Sequence, residues 1–290
     1  MAKANEGGYR RTNPFVEFLK RATKSFSSKL GVFLLLFIVL ACIIGPFISP
    51  YGVNDVDLMN MYEGPSKEHI FGCDGMGRDM LTRLLYGGRY SLALGICASV
   101  FGAIVGVIIG SVGGYFGGAV ETVIMRFMDV WSALPGTMLC ILVSNAMGSG
   151  FFSTVIALTV GGIPGTVRMI RGQILSERSK EYIEAAQSIN CSPVVIMFKH
   201  LLPNVIQPII VTTTMGIGST MIMAASLSYI GLGIQPPNPE WGAMLTEGRT
   251  YIRTNPHLLL VPGIAIALSV FAINLMGDGV RDALDPKLRD

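Results

Sequence analysis

The sequence predicts an all-α polytopic membrane protein, and three observations carry that prediction. Of 290 residues, 51% are hydrophobic and only 14% charged, whereas a soluble domain needs about 25% charged residues to cover its surface. The apolar residues gather into runs long enough to cross about 30 Å of hydrocarbon, which takes roughly 20 helical residues. Seven basic residues crowd the 29 positions before the first of these runs. Gly 35 and Met 16 occur without a Gly-X-Y period, which excludes a collagen-like chain. A net charge of +3 is too small to indicate nucleic acid as a partner.

Six transmembrane helices are expected, at about 30–49, 91–116, 119–147, 151–171, 205–234 and 258–277. The first two carry no charge. The third holds Glu121, Arg126 and Asp129 in its first turns, which places those turns at the interface or in water, and its clean apolar part is Val130–Met147. Before the first span stand Lys3, Arg10, Arg11, Lys20, Arg21, Lys24 and Lys29 against Glu6 and Glu17. By the positive-inside rule, residues 1–29 form a cytoplasmic N-terminal segment. With six spans, 278–290 is then a cytoplasmic tail, and both termini are inside. The first apolar run is too long, and lacks the A-x-A pattern, for a cleaved signal peptide, so it is expected to be retained. Of the five cysteines only Cys73 faces outside, which rules out an internal extracellular disulfide.

Inside the spans, Gly102, Gly106, Gly110, Gly114 and Gly118 recur every four residues and form one helical face for close packing. Pro135, Pro164, Pro208 and Pro262 lie within or at the ends of spans three to six, and Pro164 among glycines predicts a kink in span four. Apart from the start of span three, the apolar runs, Phe151–Val167 in span four among them, hold no ionisable residue of the kind that proton-coupled carriers use. The chain also lacks the G-x-x-x-x-G-K-[ST] loop that cradles nucleotide phosphates, so any active transport must be energised from elsewhere. No H-E-x-x-H, C-x-x-C or G-x-S-x-G is present, and no catalytic residue is assigned. His69, Cys73 and Asp74 make a loose group in the first outer loop. A solvated loop is expected there and no metal site is assigned, because a metal needs about four ligands of suitable geometry.

The loop at 176–204 is the most informative segment. It reads as two short helices: Ser176 caps the first, Lys180 and Glu184 pair across a turn, Asn190 stops it, and Ser192–Pro193 restarts the second. Ala185 and Ala186 leave a low surface beside charged Glu181 and Glu184, a form suited to docking another protein. Glu184-Ala185-Ala186, the break at Asn190 and the His-Leu-Leu-Pro-Asn run at 200–204 resemble the EAA motif of ABC importer permeases. The segments Phe71–Asp79, Arg83–Gly87, Gly113–Gly118 with Met125, Arg126, Asp129 and Pro135, Gly231–Gly242, and Asn274–Leu288 are similar to the C-type subunit of the dipeptide/oligopeptide/nickel permease branch. Asn190 departs from the Gly usual in that family and Glu121 from the usual Asp.

The resemblance implies a MetI-like ABC importer permease bundle with a cytoplasmic coupling helix, in the cytoplasmic membrane of a bacterium or archaeon. It implies as partners a second related permease, two ABC ATPase subunits that bind ATP and Mg, an extracytoplasmic substrate-binding protein, and membrane lipid. This chain itself would bind no cofactor. Glu181, Glu184, Ala185, Ala186, Asn190 and Pro193 are the expected ATPase-coupling residues, and Glu121, Arg126 and Asp129 a structural charge network or a contact to the coupling loop or partner permease. The cargo is expected to be a dipeptide or oligopeptide, with nickel or another small solute as the alternative. A stand-alone secondary carrier fits less well, since its ionisable machinery is missing. Trp241, among Pro236, Pro237 and Pro239, is either an interfacial anchor or a binding-protein contact.

Overall fold

The computed structural model describes residues 14–284, so Lys3, Arg10, Arg11 and the 285–288 end of the last motif lie outside the described residues. Within those limits the chain is helical, with one isolated bridge between Cys73 and Asp79. In chain order the helices are α1 (Pro14–Ala22), α2 (Phe26–Ile48), α3 (Met80–Phe116), α4 (Gly118–Trp131), α5 (Gly136–Met147) and α6 (Phe151–Arg178). They continue with α7 (Glu181–Ser188), α8 (Pro193–Val195), α9 (Leu202–Tyr229), α10 (Trp241–Gly248) and α11 (His257–Leu284). A π turn at Ile196–Leu201 joins α8 to α9, so Pro193–Tyr229 is one long helix.

Five helices are long and apolar enough to cross a membrane, and α4 with α5 forms a sixth candidate bent by 77°. The pair does cross the bundle. It begins where Gly117 ends α3 beside Arg178, and by Ser144 it has reached the opposite end, where the Ser144 hydroxyl donates to Leu232 O beyond α9. The sharp bend therefore falls at Ser132–Pro135, where Pro135 has an extended ψ of 138° before α5. The kink expected at Pro164 is not a break, since α6 stays one helix through it.

Several helices run past the expected span limits, where charge cut an apolar run short. The helix of span two starts at Met80, ahead of the expected span start at 91, giving 37 residues and about 55 Å, well over a bilayer thickness. Arg83 and Arg89 sit in that extension. Arg89 donates to Cys42 O and Ile43 O of α2, both at 2.8 Å. Cys42 O needs such a donor, because Pro46 four residues on has no N–H to give it. Span four runs to Arg178, span six to Leu284, and span five ends at Tyr229 rather than 234. The second coupling helix is no separate element, since Ser192 and Pro193 begin the helix that becomes α9.

The parallel pair α3 and α6 forms the most extensive contact in the bundle. The glycine face explains it: a Cβ on Gly110 would lie 2.9 Å from Val167 O, and one on Gly114 2.8 Å from Ile174. Neither fits a side chain, so two backbones meet closely. Gly102 faces open space, and Gly118 lies past the helix end at φ 52°, so the packing face is shorter than the sequence stripe. On the other side α11 packs on α2 and α9, and α1 packs on α11.

Candidate coupling loop, groove and outer clasp

The loop end is built on a buried apolar cluster of Tyr115, Ile170, Ile174, Ile183, Ala186, Ile196, Leu201, Val205 and Ile209. Ile183 and Ala186 are the inward face of α7, three residues apart as a helix requires. Ala186 is therefore packing rather than free surface, a correction to the expected low docking face. Glu181, Glu184, Ala185, Asn190 and Pro193 are exposed. So are Ile189 (76%), Val194 (59%) and Phe198 (66%), which sequence reasoning passed over. Two carboxylates thus border an apolar strip at the bundle's end.

Local chemistry sets the shape of this loop. Ser176 lies inside α6 and caps nothing, and α7 begins after Lys180 without a side-chain cap. Lys180 pairs with Glu177, not Glu184, at 2.7 Å. The α7 end is a Schellman motif: Cys191 N–H donates to Ala186 O at 3.1 Å and Asn190 N–H to Gln187 O at 2.9 Å. Asn190 supplies the required left-handed backbone, φ 58°. The Ser192 hydroxyl caps the next helix by accepting from Val195 N–H.

A polar tether then ties α7 to both neighbouring long helices. The Tyr182 O–H donates to Glu177 Oε1 at 2.6 Å, and Glu177, only 8% exposed, also accepts from Lys180. Asn204 Nδ2 donates to the Tyr182 oxygen at 3.0 Å and to His200 O at 2.7 Å. Burial first, then the hydrogen bond to and charge of Glu177, push the Tyr182 phenol up to about 12, against a smaller lowering by Asn204. Glu177 and Asn204 belong to α6 and the start of α9, so α7 cannot move without pulling on both.

The charged triplet does not form one network. Glu121 pairs with Arg171, and Asp129 Oδ1 with Arg168 at 3.0 Å, while Arg168 also donates to Ser132 Oγ and Met128 O. Arg126 is 80% exposed and lies 3.8 Å from Asp129. The two arginines of α6 thus clip α4 to the helix that leads into the 176–204 loop. Both arginines lie at the margin of the expected fourth span.

Between α3, α6 and α9 lies a groove of about 170 Å³, lined by hydroxyls of Ser99, Thr159, Thr166, Thr212, Ser219 and Thr220 and by no charged residue. Gly102, Gly162 and Gly216 leave its walls low. Most of these hydroxyls donate to carbonyls one turn back, as Thr220 does to Gly216 O at 2.9 Å and Thr166 to Gly162 O at 3.1 Å. Their oxygens remain able to accept.

The opposite end is a clasp of buried ions. Asp74 accepts from Arg78 Nε at 2.7 Å and faces Arg83 Nε at 3.2 Å, and both guanidinium groups reach Glu247 at 3.3–3.4 Å. Arg83 is 1% exposed. Asp79 caps α3 by accepting from Thr82 N–H at 2.7 Å and takes His69 Nδ1 at 3.0 Å. Glu240 caps α10 and accepts from Ser91 at 2.9 Å. Trp241 is 1% exposed and donates to Leu84 O at 2.8 Å, so it is a core residue, neither a lipid anchor nor a free contact surface. The loop expected to be solvated around His69, Cys73 and Asp74 is instead buried, at 6%, 0% and 3% exposure. Burial, followed by the charges of Asp79, Glu63, Asp74 and Asp57, pushes the Cys73 thiol up to about 12.

Residues 91–290 match the family described as "Binding-protein-dependent transport system inner membrane component", and residues 13–65 match the "N-terminal TM domain of oligopeptide transport permease C". The chain is 43% identical over 277 residues to the glutathione transport system permease protein GsiD of Escherichia coli O6:K15:H31 (strain 536 / UPEC), covering 95% of this chain and 91% of the relative. It is 44% identical over the same length to its counterpart in Shigella flexneri serotype 5b (strain 8401). Among solved structures it resembles an inward-facing MetNI methionine ABC transporter chain, with TM-score 0.60 and 20% identity over 71% of this chain and 98% of that one.

Proposed function

This chain belongs to the family of binding-protein-dependent transport system inner membrane components, and we propose that it moves small peptides as one of two related permease subunits. In this reading the 176–204 loop faces the cytoplasm, as do both termini, and an ATPase subunit seats on the Ile189, Val194 and Phe198 strip with Glu181 and Glu184 at its edge. ATP and Mg are held by the ATPases, and an extracytoplasmic binding protein delivers cargo to the clasp end. The carrying observation is the tether: α7 is joined through Glu177 to α6 and through Asn204 to the root of α9, and these helices wall the groove. A push on α7 is then a rigid-body input that re-spaces the groove walls. The arginines clipping α4 to α6 would carry the bent third span along with it.

The groove's chemistry favours a peptide over nickel. Hydroxyl oxygens offer acceptors to amide N–H groups without holding a charge, whereas Ni²⁺ calls for imidazole, thiolate or carboxylate ligands that the lining lacks. The glutathione permeases among its relatives point the same way. The test is reconstitution of the two permeases and their ATPases in proteoliposomes with the binding protein and labelled peptide. Glu184→Arg is expected to abolish uptake and peptide-stimulated ATP hydrolysis while leaving the unfolding temperature unchanged. Intact uptake in that variant would sink the coupling assignment. Uptake of Ni²⁺ but not of peptide by the unaltered complex would replace the cargo.

A further inference from the structure

We propose that Glu63, His69 and Cys73 form a binding site for a Zn²⁺-class transition-metal cation, which staples the outer clasp. One ligand atom from each residue lies within 4.8 Å of the other two. Backbone pairing brings them together, since Cys73 N–H donates to Glu63 O at 2.9 Å and Gly72 N–H to His69 O at 2.9 Å. Two of the three residues are buried and Glu63 is half-buried.

What marks the group is that its ligand atoms are unused. Among the described residues, the fully buried Cys73 thiol takes no hydrogen bond, and the Glu63 carboxylate takes neither a hydrogen bond nor an ion pair. His69 Nδ1 is engaged by Asp79 Oδ1, which leaves Nε2 as the nitrogen free to coordinate. A carboxylate behind an imidazole is the usual outer support of a metal-bound histidine, fixing its tautomer and raising its basicity. The arginines nearby are spent on Asp74 and Glu247 and do not neutralise Glu63.

A set of one thiol, one imidazole and one carboxylate suits a borderline-soft cation and not Mg²⁺ or Ca²⁺, which call for oxygens. Ligand distances of about 2.0–2.3 Å would draw the three atoms in by roughly 1 Å. A cavity of about 320 Å³ reaches His69 and Asp79 from the side of Asp57 and Glu68. The site lies on the loop that Asp79 joins to the start of α3, away from the hydroxyl groove, so the cation is a structural staple and not cargo.

Metal binding itself is the readout, independent of transport. The full-length chain, purified in detergent with its partner permease and stripped by chelator, is titrated with Zn²⁺ and with Co²⁺. Expected are one retained Zn²⁺ per chain and a near-ultraviolet cobalt–thiolate charge-transfer band. Cys73→Ser should abolish the band, and Glu63→Gln should keep it while weakening affinity at least about 10-fold. Glu63 lies half-buried on a loop, so its variant tests the site even if Cys73→Ser fails to fold. No retained Zn²⁺, a band that survives Cys73→Ser, or unchanged affinity in Glu63→Gln would each overturn the site.

Discussion

The two ends of the bundle are held by different physics. At the clasp end, buried Asp74, Arg78 and Arg83 share an ionic cluster with part-exposed Glu247, and Asp79 and Glu240 cap helices from inside. At the coupling end, α7 rests on apolar side chains and one chain of polar contacts through Glu177, Tyr182 and Asn204. Buried ion pairs are costly to break and fix one geometry. Apolar contacts and a single hydrogen-bond chain carry a smaller penalty when disturbed, so a change of shape at the α7 end costs less than one at the clasp. The difference teaches where motion can start: the fold is locked on one side and hinged on the other.

The largest expected effect breaks the locked side. Arg83→Ala takes one of two arginines from buried Asp74 and part-exposed Glu247 and empties a fully buried position, and should cost about 3–5 kcal/mol in unfolding of the purified chain in detergent. An exposed change at the other end, Glu184→Arg, should stay within about 0.5 kcal/mol. Equal costs at the two sites would dissolve the contrast.

Next in size is the α7 stop. Asn190 at φ 58° already carries the strain of a side chain in the left-handed region. Asn190→Gly should be neutral or stabilising by up to about 1 kcal/mol, and Asn190→Val destabilising by about 1–2 kcal/mol, since a β-branched residue resists that conformation. Paired thermal melts check both. If Val is harmless, the Schellman geometry is not what ends α7.

Much of this architecture was legible in the sequence, and the misses have physical causes. Hydropathy found the five helices long and apolar enough to cross a membrane and the bent pair α4–α5, but the helices run on where Arg83, Arg89, Arg171 and Arg178 lie in them, because hydropathy counts a charge as an exit even when a helix carries it onward. Asn190, Ser192 and Pro193 were readable because caps and stops are local chemistry. Glu177, Tyr182 and Asn204 were in view one by one, but their convergence depends on how α6, α7 and α9 meet. Trp241 and the His69–Cys73 loop looked exposed because polar and Pro-rich surroundings read as water-facing, whereas long-range pairing buries both. Glu63 stands ten positions from Cys73, and no spacing rule connects them.

The smallest stability effect sharpens the hinged side most. Tyr182→Phe removes the donor to Glu177 and the acceptor for Asn204, yet Tyr182 is 37% exposed, so water replaces part of the loss and about 1 kcal/mol is expected. The pH dependence has a definite sign. The phenol is raised from its ordinary value near 10 to about 12 in the folded chain. Its contribution is therefore complete below pH 10 and is lost as pH rises from there through 12, because the unfolded chain ionises first. An ultraviolet tyrosinate titration of the unaltered chain against Tyr182→Phe should lose one late-titrating phenol. In proteoliposomes the same variant should raise the ATP hydrolysed per peptide taken up, while its unfolding shifts little. A variant that lost stability but kept its coupling ratio would make Tyr182 a staple of the fold, and the hinge would have to lie elsewhere.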